Sequence, residues 1–417
     1  PPEWHLDPFT NSRAPGHKHW SQIPDFGSGD IKCIWELNRF GFAYDLVRAY
    51  CRTGNEAYPA CFWSLVESWQ GQNPPQQGPN WKCGQEIAFR VMAWCFGLYG
   101  FLSNPATTPE RVLSLTQMIA LSANRINANI RYALSQRNNH GISEAAGLWT
   151  IGALFPELKG ADAWETKGRK HLEELAQSLI YEDGAFVQHS VVYHRLMLQD
   201  YLWVLRLGEI LGRPFSNRLR ERIGLAWQFL YELMDVESGG VPFFGQNDGS
   251  SILPLNSCGY RDFRPVIQSV GFLLHRRRCL DEGPWDEDLL WLFGPASLES
   301  PSVNMSQGDV RAPIGGCYTL RSRDGFLFTR CGTYRDRPGQ ADALHVDLWW
   351  KGQNIAIDPG TYSYNAPPPW NNPFARTVYH NTVSVDDLDQ MDRYGAFLWF
   401  PWTRGQVRRS LRSTKGA

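Results

Sequence analysis

The feature that most limits what this chain can fold into is a change of hydrophobic period near residue 300. Upstream, apolar residues recur at helical spacing. Over 34–50, Leu37, Phe40, Ala43, Tyr44, Val47 and Tyr50 share a face, and Gly54 follows as a stop. Similar amphipathic stretches run over 56–70, 84–101, 109–135, 143–154, 164–180, 191–211 and 217–235. The connectors are short and rich in Asn, Gly and Pro, as in Asn73-Pro74-Pro75, so successive helices turn back on one another. No strict repeat is visible, which favours a ring of helix hairpins over a consensus solenoid. Downstream, 318–323 alternates, Asp324-Gly325 makes a turn and 326–330 continues as its partner strand. A second hairpin turns at Lys351-Gly352-Gln353-Asn354, and 380–385 reads as a further strand. The fold class expected is therefore α then β: a helical domain over 1–300 and an antiparallel β-sheet domain over 301–417. Three or four strands fall short of a sandwich, so the β domain is expected to be truncated in this chain.

Charge and composition exclude several classes. Lys and Arg number 41 against 42 Asp and Glu, which gives no global attraction for nucleic acid. No apolar run reaches the roughly 18 residues of a membrane span. The nine cysteines form no CxxC pair, and Cys33, Cys51, Cys61 and Cys95 fall in helical patterns that read as buried thiols. The chain starts at Pro1 with no signal peptide ahead of it, so its compartment is not legible there. The surplus is aromatic: 18 Trp, 16 Tyr and 22 Phe, with many Trp beside amides, as in Asn80-Trp81 and Trp370-Asn371. Flat rings next to amide groups suit sugars, and they equally suit a Trp-rich core.

Four polar islands interrupt the apolar pattern. In Asn138-Asn139-His140-Gly141-Ile142-Ser143-Glu144, His140 and Glu144 lie one helical turn apart, while Asn139 and Ser143 are also plausible helix caps. His189, Tyr193, His194 and Arg195 crowd one helix start, as a reactive group or as a solvated end. Gly245-Gln246-Asn247-Asp248-Gly249 reads as a turn that shapes a loop. On the strand side Gln340, Asp342, His345, Asp358 and His380 can ligate a metal or satisfy one another.

Six strings, in order, resemble the heparinase II/III-like polysaccharide lyases, a group that includes alginate-lyase-type enzymes. They are Trp35-Glu36-Leu37-Asn38-Arg39, Asn80-Trp81, the island from Asn138 to Ala145 with Phe155-Pro156-Glu157, Tyr193-His194-Arg195, Asp358-Pro359-Gly360-Thr361-Tyr362 and His380-Asn381-Thr382-Val383. The resemblance implies an incomplete α/α toroid followed by antiparallel β layers, and β-elimination on a uronate polymer. The expected substrate is a glycosaminoglycan of the heparin/heparan, hyaluronan or chondroitin type. The alternatives are alginate or another polyuronate, or a non-catalytic carbohydrate-binding role. It also implies a periplasmic or secreted location.

By that resemblance Asn139 and His140 neutralise the uronate carboxylate, and Tyr193 moves the proton with Arg195 lowering its phenol pKa. Asn80, Trp81, Glu144, Trp149, His189 and Arg195 are the expected substrate contacts. The family's His-x-His-Ala-Asp string reads Pro338-Gly339-Gln340-Ala341-Asp342 here, so its catalytic His becomes Pro338. His345 is the candidate replacement. The metal set maps to Gln340, Asp358 and His380, where an amide ligand makes Mn²⁺ or Ca²⁺ as plausible as Zn²⁺, in a bracing role.

Overall fold

The computed structural model describes residues 2–24, 29–303, 305–363, 366 and 368–409. It divides into two compact units, one of Pro1–Leu172, Leu207–Arg213 and Ile252–Leu255, the other of Glu173–Arg206, Pro214–Ser251 and Asn256–Ala417.

The first unit holds helices α1 (Ile31–Asn38), α2 (Phe42–Thr53), α3 (Ala57–Gln72), α4 (Gly84–Gly100), α5 (Pro109–Ser135), α6 (Asn139–Leu154) and the start of α7 (Ala161–Leu179). α4 and α6 are buried almost all round, as expected of helices at the centre of a helical layer. They pack closely because Gly147 faces Ala88, where an added Cβ would come within 2.7 Å of the alanine methyl. Arg90 is buried between the rings of Trp69 and Trp94 and donates to the carbonyls of Asn38 and Asn80. Each bond satisfies a carbonyl at or near the end of a short helical segment.

The helix expected over 34–50 is two helices. Phe40 sits at φ +60°, in the left-handed region, and its buried ring stacks on Trp4 at 5.3 Å and meets Trp94 edge-on at 5.5 Å. Aromatic packing therefore overrides local helical propensity. Two of the cysteines read as buried, Cys51 and Cys61, are exposed, because they fall on the outer faces of α2 and α3.

The second unit carries the rest of α7, α8 (Val191–Ile210) up to Arg206, α9 (Asn217–Leu233), α10 (Arg264–His275) and α11 (Glu287–Phe293), then the strands. β1 (Arg311–Ala312), β2 (Cys317–Arg321), β3 (Gly325–Arg330), β4 (Val346–Trp350) and β5 (Gln353–Ala356) form one antiparallel meander in sequence order. Along β3, Phe326, Phe328 and Arg330 point inward, where Phe328 stacks on Phe244 at 5.2 Å. β6 (Asp392–Gly395) and β7 (Leu398–Phe400) form a separate hairpin. Beneath it Trp399 packs with Ala341, Ala375 and Met391. The expected order of helices and then antiparallel sheet is what the chain adopts.

The strand expected over 380–385 is a loop. Asn381 explains it: its backbone N–H donates to His345 Nδ1, and its amide donates to the carbonyls of Val346 and Ile357. The segment braces the start of β4 through one residue instead of pairing along a ladder.

Candidate active site

The second unit carries seven of the expected residues, with His189, Tyr193 and Arg195 at the start of α8. Ser190 caps that helix, its Oγ accepting from the Tyr193 N–H at 3.3 Å and donating to the Gln246 carbonyl at 2.6 Å. Gly245 reaches φ +79°, and a Cβ there would lie 2.0 Å from the His189 carbonyl, so only glycine lets the 245–249 loop run against the helix start. Tyr193, 8% exposed, donates its phenol proton to Asp248 Oδ2 at 2.7 Å. Arg195 commits its guanidinium to the carbonyls of Tyr260 and Ser250 and lies over the Tyr260 and Phe263 rings. It acts on Tyr193 through the loop that it pins. His189 is buried against Tyr334; burial, with Arg330 adding to it, pushes the imidazole down to about 3, so it stays neutral.

Gln340, expected as a ligand, bridges two loops through hydrogen bonds. Its Oε1 accepts from the Gly245 N–H at 3.0 Å and its Nε2 donates to the Gly360 carbonyl at 3.3 Å. Both ends of the amide are used, and the residue ties the Tyr193 loop to the turn after Asp358. His345 joins Asp358 and His380 in a cluster of ligand-type side chains. His345, Asp358 and His380 are buried, with ligand atoms all within 4.8 Å of one another. Asp358 Oδ2 lies 3.1 Å from His380 Nδ1 and 3.7 Å from His345 Nε2, while Asp358 Oδ1 accepts from the Gly360 N–H. Burial lowers the affinity of His380 for a proton, but the hydrogen bond and charge of Asp358 outweigh it, and the net shift is upward.

These residues fit a divalent ion. His345 Nε2 is buried without a hydrogen-bond partner and faces the carboxylate. The region also buries Asp342, Asp347 and Asp358 against one guanidinium, Arg330, an excess of negative charge that a dication offsets. A two-imidazole, one-carboxylate set suits a borderline ion such as Zn²⁺ or Mn²⁺ better than the amide-containing set did.

The remaining candidates lie in the first unit. α6 begins at Asn139, and the cap is Asn138, whose side chain accepts from the His140 N–H. Asn139 is therefore released from capping; its amide donates to Gln85 Oε1 at 2.5 Å, and Ser143 Oγ lies 3.4 Å from the same oxygen. His140 sits 3.8 Å from Cys83 Sγ. Glu144, on the same helix, is 5% exposed, and burial pushes its carboxyl up to about 8 against the opposing charge of Arg125. Gly84 makes room for it, since a Cβ there would meet the carboxyl carbon at 2.4 Å.

Trp81 and Trp149 are fully buried, which leaves no ring face for a sugar in this conformation. Asn80 donates to the Trp4 carbonyl and to Asn73 Oδ1, holding the N-terminal segment in place. Sequence reasoning missed Asp248 as a partner of Tyr193. The available signal was an Asp two residues before Ser250, which closes an Asx turn and orients the carboxylate.

Comparison with known proteins follows the same outline. The heparinase II/III N-terminus description matches residues 5–242, and the heparinase II/III-like C-terminal description matches 304–416. A heparin-sulfate lyase of Bacteroides thetaiotaomicron is 24% identical over 389 residues, covering 90% of this chain and 50% of that protein. One from Bacteroides stercoris is 22% identical over 407 residues, covering 91% and 58%. The chain thus spans little more than half the length of these relatives. A crystal structure of heparinase III superposes with a TM-score of 0.67 at 17% identity, over 94% of this chain and 61% of that one. A mutant of heparan sulfate lyase HepC from Pedobacter heparinus gives 0.57 at 18% identity, over 88% and 57%.

Proposed function

The chain belongs to the heparinase II/III family, and from that premise we propose that it is a polysaccharide lyase that cleaves a uronate-containing glycosaminoglycan by β-elimination. The observation that carries this reading is Tyr193, a phenol fixed by a carboxylate at the capped first turn of α8.

Elimination makes three demands. The C5 proton of a uronate is weakly acidic while the neighbouring carboxylate keeps its full charge, so donors must first neutralise that group. Asn139 and His140 take this role, an assignment that rests on the string from Asn138 to Ala145. A base must remove the C5 proton, and an acid must protonate O4 as it leaves. Tyr193 serves both steps when the two groups lie on one face of the sugar.

His345, Asp358 and His380 would hold a divalent ion. When bound, the ion supplies cross-linking between the start of β4 and the two loops that carry its other ligands. Gln340 passes that order to the loop opposite Tyr193. A polymer substrate of this kind lies outside the cytoplasm, and we assign the protein to the periplasm or the exterior.

The test is an ultraviolet assay on heparan sulfate, hyaluronan, chondroitin sulfate and alginate, since elimination creates a conjugated unsaturated uronate and hydrolysis does not. Tyr193→Phe is expected to abolish the absorbance rise with binding nearly kept. No rise from the wild-type chain on any polymer, with divalent metal added, overturns the reading.

A further inference from the structure

The phenol of Tyr193 needs somewhere to send its own proton before it can take one from carbon. The imidazoles of this unit are placed elsewhere: His189 packs on Tyr334, His194 bonds the Ala226 carbonyl at 2.9 Å, His275 packs on Trp227, and His345 and His380 converge on Asp358. Asp248 is the carboxylate in contact. Its Oδ2 accepts the phenol proton at 2.7 Å, and its Oδ1 accepts from the Ser250 N–H at 3.1 Å, which fixes the plane of the group.

The loop that carries it is tied down at both ends. Gln246 is held through its carbonyl by Ser190, and Gly245 through its N–H by Gln340. Asn247 donates from its N–H to Thr361 Oγ1 at 3.0 Å, and Arg195 grips the Ser250 carbonyl at 3.1 Å. Four tethers on six residues make a carboxylate whose position is set before any substrate arrives.

We propose that Asp248 is the positioning residue for Tyr193, accepting the phenol proton so that the phenol oxygen can act as the base of the elimination. This rests on the lyase reading above. As the Tyr193 O–H bond breaks and the proton passes to Asp248, the phenol oxygen takes the C5 proton. The C5 electron pair forms the C4–C5 double bond, and the C4–O4 bond breaks. O4 then takes the proton from Tyr193, and Asp248 returns its own to the phenol. The C5 proton ends on O4, the dyad is restored, and no co-reactant is consumed.

The groups that face Asp248 are Tyr193 and Arg195 from α8 and Tyr260 from the loop before α10.

The experiment measures kcat, KM and the pH profile of the wild type, Asp248→Asn and Asp248→Glu by unsaturated-product absorbance, with thermal midpoints alongside. Asp248→Asn is expected to lower kcat about 100-fold, the scale of one general acid–base contribution. Its KM should stay within about twofold, and the acid-side limb of the kcat profile should flatten. Asp248→Glu restores the charge and is expected to keep at least about a tenth of wild-type kcat, even if the amide variant fails to fold. A wild type that gives product, with Asp248→Asn within about threefold of it, overturns the dyad alone. So does an Asp248→Glu that folds and is no more active than the amide variant. A wild type inactive on every polymer overturns the lyase reading and the dyad with it.

Discussion

Glu144 allows a quantitative test of how the helical unit holds charge. Its carboxyl is buried beside the first turn of α4, and it is pushed from 4.5 up to about 8, by burial first and with Arg125 opposing. The sign follows from linkage. With the folded value above the unfolded one, the stability is fully present below about pH 4.5, is lost as pH rises toward 8, and changes little beyond. At about 1.4 kcal/mol per pH unit the whole window is worth roughly 5 kcal/mol, of which about 3–4 falls between pH 5 and 8. Glu144→Gln keeps the size and removes the titration. Its amide protons cost about 1–3 kcal/mol if they find no acceptor, but that cost does not vary with pH. The variant should therefore gain on the wild type by about 3–4 kcal/mol as pH goes from 5 to 8. Urea unfolding at four pH values, followed by Trp fluorescence, measures the difference. Trp81, Trp94 and Trp149 report from the same unit. Parallel stability curves across that range would refute the argument.

Three further outcomes are expected. Gln340→Ala leaves the Gly245 N–H and the Gly360 carbonyl without their side-chain partner, and should cost about 2–4 kcal/mol in thermal or chemical denaturation. Chelation should lower the thermal midpoint, with elemental analysis finding close to one divalent ion per chain. Under about a tenth of an equivalent, with the midpoint unmoved, leaves the direct Asp358–His380 hydrogen bond as the whole interaction. Arg39 pairs with Glu86 through two bonds in a buried site, where burial raises the carboxyl and the Arg39 charge more than reverses it. Arg39→Met alone should cost about 3–5 kcal/mol, and adding Glu86→Leu should recover most of it.

Local signals were legible in the sequence and distant ones were not. The presence and order of α3 to α9 and of both hairpins in the main sheet follow from periodicity and turn residues, which depend only on neighbours in the chain, although α6 starts four residues and α7 three residues before the periodicity suggests. The Asp358–His380 contact was legible through the resemblance. The break at Phe40 depends on Trp4, 36 positions upstream, and no window of ten residues contains it. Gln340 was read as a weakened ligand because its partner, Gly245, is 95 positions away. His345 was read as acting on substrate, and its contact with Asp358 at 3.7 Å depends on a residue 13 positions away. Asp248 looked like a loop former, and it is one; the same Asx geometry that shapes the loop also points its second oxygen at the phenol.

The double attachment of Gln340 governs how this sequence can change. An imidazole at 340 is shorter than the amide, and its two nitrogens point apart from a rigid ring, so it cannot serve the Gly245 N–H and the Gly360 carbonyl in the same way. Installing histidine there first would loosen the loop opposite Tyr193 before any gain at the ion cluster. Remodelling the 245–249 loop first would strand the glutamine. Either order passes through a poorer protein, so the two positions are epistatic and change best together. A variant library that randomises 340 alone should return glutamine, whereas one that randomises 340 with 245–247 opens the route to a histidine at that position.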